Sequence, residues 1–184
     1  MNNKLMVKLI VGTEAMFFLS LIMAFVYFSF TPGFKHQQVG VLNIRSTGMF
    51  SLLLFASSFT YWRAETNYKE GRIKRLKCWL LLTMALGTIF LLGQGTEYLN
   101  VLRSHINIAS SMFGTAFFTL TGFHGLHVFI GLVVIGIVTL LTFLGDYHEN
   151  RSATIFSSIG IYWHFVDIVW LIVFIIIYVV PLIS

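Results

Sequence analysis

Apolar residues run in five long stretches separated by short polar breaks, at about 9–30, 43–62, 78–102, 109–144 and 154–183. Each reaches the roughly 20 residues that a helix needs to cross a bilayer. No stretch alternates with the period of two that a membrane barrel would show. Backbone groups cannot stay unpaired in hydrocarbon, so helices are the remaining solution. Thr31-Pro32-Gly33 closes the first stretch. The fourth is longer than a span requires and is expected to tilt or project. The expectation is an all-α integral membrane protein, a bundle of five transmembrane helices in a single domain covering residues 1–184.

Composition strengthens that reading. Of 184 residues, 57% are hydrophobic and only 10% charged, against roughly a quarter charged in a soluble domain. The net charge of +5 does not point to nucleic acid, because the basic residues gather in one short segment between apolar stretches. Lys4, Lys8, Arg63, Lys69, Arg72, Lys74, Arg75, Lys77 and Arg151 fall on one side, and Lys35, Arg45 and Arg103 on the other. Nine against three places the N-terminus in the cytoplasm and the C-terminus opposite. Lys4 and Lys8 before an apolar run resemble a signal peptide, but the run reaches Phe30, includes Glu14 and offers no clear cleavage site. It reads as a retained helix. Cys78, the sole cysteine, has no partner for a disulfide or metal motif.

Against this apolar background a few ionisable residues stand out. Each costs on the order of 2–3 kcal/mol in the bilayer centre, so neighbouring protein must compensate. At about 1.5 Å per residue, Glu14 lies roughly 9 Å from the inner face, with His164 and Asp167 roughly 15–20 Å along the last helix. His124 and His127 enter from the other side and fall in the same half, whereas Glu97 and Tyr98 belong near the outer end. His124 and His127 are three apart and share a helix face, flanked by Gly122 and Gly125, which leave room for close approach. His164 and Asp167 are spaced alike, within hydrogen-bond reach of each other on one helix, and Trp163, Asp167 and Trp170 share a face. Their indoles, like tyrosine hydroxyls, can satisfy buried acceptors. Two readings stand for this network: a polar lock between helices, or groups that exchange protons. Glu14 is the leading candidate for exchange, as a lone acid in an apolar helix.

Haem fits poorly. His124 and His127 on one face cannot bind an iron from opposite sides, and the second ligand pair of a two-haem bundle is missing. With six histidines, of which His36, His105 and His148 fall in breaks or near stretch ends, a di-metal site is also short of ligands. The segment from Arg63 to Lys77 can meet anionic headgroups through Arg63, Lys69, Arg72, Lys74, Arg75 and Lys77, at about 1 kcal/mol per basic side chain near the membrane. Setting topology alone would also explain it.

Four stretches carry a family likeness. They are Glu14-Ala15-Met16-Phe17-Phe18, Gly93-Gln94-Gly95-Thr96-Glu97-Tyr98, Leu120-Thr121-Gly122-Phe123-His124-Gly125-Leu126-His127-Val128, and Tyr162-Trp163-His164-Phe165-Val166-Asp167-Ile168-Val169-Trp170. The chain resembles subunit III of the haem–copper terminal oxidases, in a short five-helix form without the two extra N-terminal helices of longer members. The resemblance implies a non-catalytic subunit, with no cofactor of its own, that supports proton uptake and stability in aerobic electron transport. Haem and copper would belong to the partner catalytic subunit, other oxidase subunits would be neighbours, phospholipid would bind, and the location would be the inner cytoplasmic membrane. Glu14 matches the family's buried helix acid; His124, His127, His164 and Asp167 match its motif positions. An accessory subunit of a quinol oxidase or nitric oxide reductase is the near alternative. An autonomous membrane haem protein or a proton channel is the distant one.

Overall fold

The computed structural model describes residues 3–31, 34, 42–104, 111–145 and 149–183. They form five long helices: α1 (Asn3–Ser29), α2 (Ile44–Lys69), α3 (Ile73–Arg103), α4 (Met112–Leu144) and α5 (Glu149–Phe174). His36, His105 and His148 lie outside the described residues. The helix after Phe174 widens into a π turn at Ile175–Val179 before a last α turn, Val180–Ile183. Pro181 accounts for the break: it has no N–H to give back to the preceding turn.

Four helices, α1, α3, α4 and α5, are long and apolar enough to cross a membrane. With 26 residues α2 is as long, but it is too polar to qualify on composition. The reason lies in which face is polar. Thr47, Ser51, Ser57, Thr60 and Asn67 are all buried, while Met49, Leu52, Phe59 and Trp62 point outward. The helix is built inside out, with small hydroxyls toward the protein and bulk toward the surroundings, an arrangement that lets helix backbones approach closely in a membrane.

Around the bundle, α1 packs on α4 and α5, α2 on α3 and α5, α3 on α4, and α4 on α5. Within the apolar windows only 17% of α1 is buried, against 44% of α5, so α5 is the central post and α1 an outer stave. Close approach around that post depends on glycine. A Cβ on Gly131 would stand 2.7 Å from the Trp163 ring, and one on Gly87 would stand 3.2 Å from it. Trp163, fully buried, fills the space that those two positions leave.

The expected basic loop is a tight turn between helices. α2 runs on from Trp62 to Lys69 and α3 begins at Ile73, so only residues 70–72 are non-helical, with Gly71 at φ 68°. Charge marks where hydrocarbon ends, and a helix need not end there, because its hydrogen bonds are internal. Ala64, Asn67 and Leu76 are buried in this extension, and their packing holds the helical pair together beside the turn. At the other ends, Asn43 caps α2 by accepting the Ser46 N–H, Ser111 caps α4 by accepting that of Gly114, and Gly145 closes α4 at φ 77°.

Candidate functional site

The intramembrane acid of α1 is not alone. Glu14 Oε2 lies 3.0 Å from His127 Nε2 on α4. The other ring nitrogen, Nδ1, is 2.7 Å from the Phe123 carbonyl. A carbonyl only accepts, so Nδ1 carries a hydrogen and the tautomer is set. What remains is one proton between Nε2 and the Glu14 carboxyl. The two charge states, acid with neutral imidazole or carboxylate with imidazolium, differ only in which partner carries that proton. Tyr162 of α5 donates its hydroxyl to the His127 carbonyl at 3.1 Å, and Phe17 and Phe18 ring the imidazole. The Glu14 side chain is 32% exposed and that of His127 12%, so the pair lies at the rim of the α1–α4 seam.

His124 has a different environment. Its ring is fully buried, and neither nitrogen has a hydrogen-bond partner among the described residues. It stacks on Trp170 at 4.8 Å between centroids with an interplanar angle of 26°, with Phe18 and Phe90 edge-on. The five groups expected in one layer therefore divide among separate settings rather than forming a single cluster. Among the described residues, no three His, Cys, Asp or Glu side chains converge as a metal site would require.

The third setting is the antiparallel seam of α2 and α5. Tyr61 donates to the Phe156 carbonyl at 2.9 Å, Trp163 Nε1 to Ser57 Oγ at 3.1 Å, and Trp170 Nε1 to Ser51 Oγ at 2.8 Å. Between them His164 Nδ1 meets Ser58 Oγ at 2.6 Å. The hydrogen bond expected between His164 and Asp167 is not formed. Asp167 is buried, and among the described residues neither carboxyl oxygen has a hydrogen bond of good geometry, although Ser58 faces it. The indoles flanking the acid donate across the seam instead of to it. Serines of α2 are the partners that sequence reasoning missed. Their one available signal was spacing: positions 47, 51, 54, 57, 61 and 64 trace one face of a helix.

Toward the opposite ends of α2 and α3, Glu97 accepts the Asn43 N–H at 2.9 Å. An acid from one helix thus caps the start of another, where the helix dipole favours negative charge. Tyr98 meets Thr121 Oγ1 at 2.9 Å, and Gln94 donates to the Thr121 carbonyl at 2.8 Å. These two reach α4 over Gly122 and Gly125, where an added Cβ would stand 3.4 Å from the Tyr98 hydroxyl and from Gln94 Oε1. A cavity of about 10 Å³, lined by Thr47, Gln94, Glu97, Tyr98 and Tyr178 among others, is at the lower limit for one water.

The six basic residues do not act alike. Lys69 pairs with Glu65 at 2.8 Å and Arg72 with Glu70 at 2.9 Å. Arg63 lies 5.9 Å from the Trp62 ring and 5.8 Å from that of Trp79, and Lys77 sits 4.7 Å from the Phe143 ring. Lys74 and Arg75 are exposed on the first turn of α3.

Comparison with known proteins gives the family. The family model described as cytochrome c oxidase subunit III matches residues 2–181. A protein of Mycobacterium leprae named probable cytochrome c oxidase subunit 3 is 35% identical over 91% of this chain and 82% of its own length. Cytochrome c oxidase subunit 3 of a Synechocystis strain is 32% identical over 94% of this chain and 73% of its own. A probable subunit 3 of Mycobacterium tuberculosis is 38% identical over 74% and 67%. With the match running almost end to end, the chain belongs to the cytochrome c oxidase subunit III family.

Proposed function

We propose that this chain is the non-catalytic third subunit of a haem–copper respiratory oxidase, packed beside the subunit that reduces oxygen. The observation that carries the reading is the family match over residues 2–181. Haem and copper chemistry belongs to the partner, and this chain supplies a rigid, largely dry wall. Phe123, Leu126, Phe129, Ile130 and Val133 on one side of α4 are exposed and suit either lipid or an apolar partner surface.

All five helices cross the membrane in this reading. α2 does so because Thr47, Ser51, Ser57 and Thr60 along its length face protein, which composition alone cannot register. The N-terminus lies in the cytoplasm, and the ring of basic residues at the α2–α3 turn meets anionic headgroups of the inner leaflet. Glu14 and His127, sharing one proton at the rim of the bundle, form the group through which the subunit supports proton uptake by its partner. Phospholipid chains line the outer staves.

The test is purification of the tagged full-length chain from native membranes. A haem- and copper-containing oxidase should accompany it, and removal of the chain should leave an oxidase that turns over but loses activity sooner. A chain that purifies alone, with a stoichiometric haem Soret band, would overturn the proposal.

A further inference from the structure

Along the α2–α5 seam, polar side chains follow one another from the basic turn into the bundle. At the mouth is Lys69, its side chain 63% exposed, with Nζ 2.8 Å from Glu65 Oε1. The Glu65 side chain is only 15% exposed and turns toward α5, where Oε2 would stand 3.4 Å from a Cβ on Gly160. His164, one turn further along α5, lies within the field of Glu65 and holds Ser58 Oγ at 2.6 Å through Nδ1. Ser58 faces Asp167, whose side chain is buried with neither oxygen in a hydrogen bond of good geometry among the described residues. From Lys69 to Ser58 the climb is eleven residues, about 16 Å of helix.

We propose that Lys69, Glu65, His164 and Ser58 form a proton-exchange path connecting the Asp167 carboxyl with the aqueous surface at the α2–α3 turn. It is separate from the Glu14–His127 pair, which belongs to the α1–α4 seam, and it does not depend on which compartment the turn faces.

A static lock accounts poorly for the arrangement. A buried acid kept for packing would take hydrogen bonds from its neighbours, yet the indoles of Trp163 and Trp170 donate to Ser57 and Ser51. Asp167 is left with a hydroxyl that also contacts an imidazole. The groups alternate in the way a relay requires: carboxyl, imidazole with two nitrogens, hydroxyl, carboxyl. In one passage, the Lys69 ammonium gives a proton to the Glu65 carboxylate and regains one from water, and Glu65 gives its proton to His164 Nε2. The imidazolium then releases its Nδ1 hydrogen to Ser58 Oγ as the Ser58 hydroxyl hydrogen passes to the Asp167 carboxylate. One proton has moved from Glu65 to Asp167, serine is unchanged, and histidine has exchanged one neutral tautomer for the other. The groups facing His164 are Glu65, Ser58 and the Tyr61 ring, so the seam carries its own acid and base without help from α1 or α4.

The path is tested by infrared spectroscopy of the intact oxidase complex transferred into heavy water. The carbonyl stretch of protonated Asp167, identified by its loss in Asp167→Asn, shifts as its proton is replaced by deuterium. Glu65→Gln and Ser58→Ala should slow that shift roughly tenfold or more, in line with removal of a positioned proton-transfer group. Glu70→Gln, at the same surface but paired outward with Arg72, should leave the rate unchanged. His164→Gln should behave like Ser58→Ala; if it fails to assemble, Ser58→Ala, which removes a single hydroxyl, decides. Exchange as fast in Glu65→Gln and Ser58→Ala as in the unaltered complex would overturn the path, even if both variants melt at lower temperature. So would the absence of any exchangeable Asp167 acid band at every pH where the complex stays intact.

Discussion

Glu14 illustrates how much a single contact changes a side chain's chemistry. As a lone acid in an apolar helix it would be a liability; held 3.0 Å from His127 it has a hydrogen-bond partner on another helix. A hydrophobic carbodiimide, which attacks protonated carboxyls from the lipid side, should therefore modify Glu14 ahead of Glu70, which is ion-paired at the surface. It should also precede Glu97, which is 3% exposed. Peptide mapping of the labelled protein checks this, and uniform labelling of the three would contradict it. Steric fit gives a second expectation. Gly131→Ala pushes a methyl into the Trp163 ring and should destabilise the chain by about 1–3 kcal/mol, the usual penalty of overpacking. Gly12 has nothing within 4 Å of a new Cβ, so Gly12→Ala should leave stability unchanged or raise it by up to ~1 kcal/mol through helix propensity. Denaturant titration in detergent separates the two.

Among the helices, α2 departs furthest from a simple hydropathy reading. Its buried serines receive indole hydrogen bonds from α5, and such bonds between membrane helices are modest singly. A double-mutant cycle of Ser51→Ala with Trp170→Phe should give a coupling of about 0.6–1.7 kcal/mol. A coupling near zero would mean that the seam is held by packing alone. The π turn at Ile175–Val179 belongs to the same line of thought. Pro181 is visible in the sequence, but the direction in which the widened turn sends Tyr178, into the cavity beside Glu97, depends on the neighbours that receive it.

In the assembled bundle, orientation decides which compartment the basic turn faces. Cys78 is exposed beside the basic turn, and as the sole cysteine it reports one position without ambiguity. A membrane-impermeant maleimide should label it in inverted vesicles and spare it in intact, right-side-out cells. The reverse result would turn the subunit over and send the Lys69 end of the α2–α5 seam to the other compartment.

Helix number, the family and the identity of the polar residues were legible from the chain alone. The cause is physical: a bilayer imposes one length and one polarity on any segment that crosses it, and intramembrane acids and imidazoles are too costly to occur without a purpose. Partnership was another matter. That Glu14 meets His127, that His164 turns to Ser58 rather than Asp167, and that Glu97 caps α2 all depend on rotations and depths of separate helices. Those are set by small-residue contacts such as Trp163 against Gly87 and Gly131. A linear spacing tells which residues share a face, but only the packed bundle determines which neighbour that face finds.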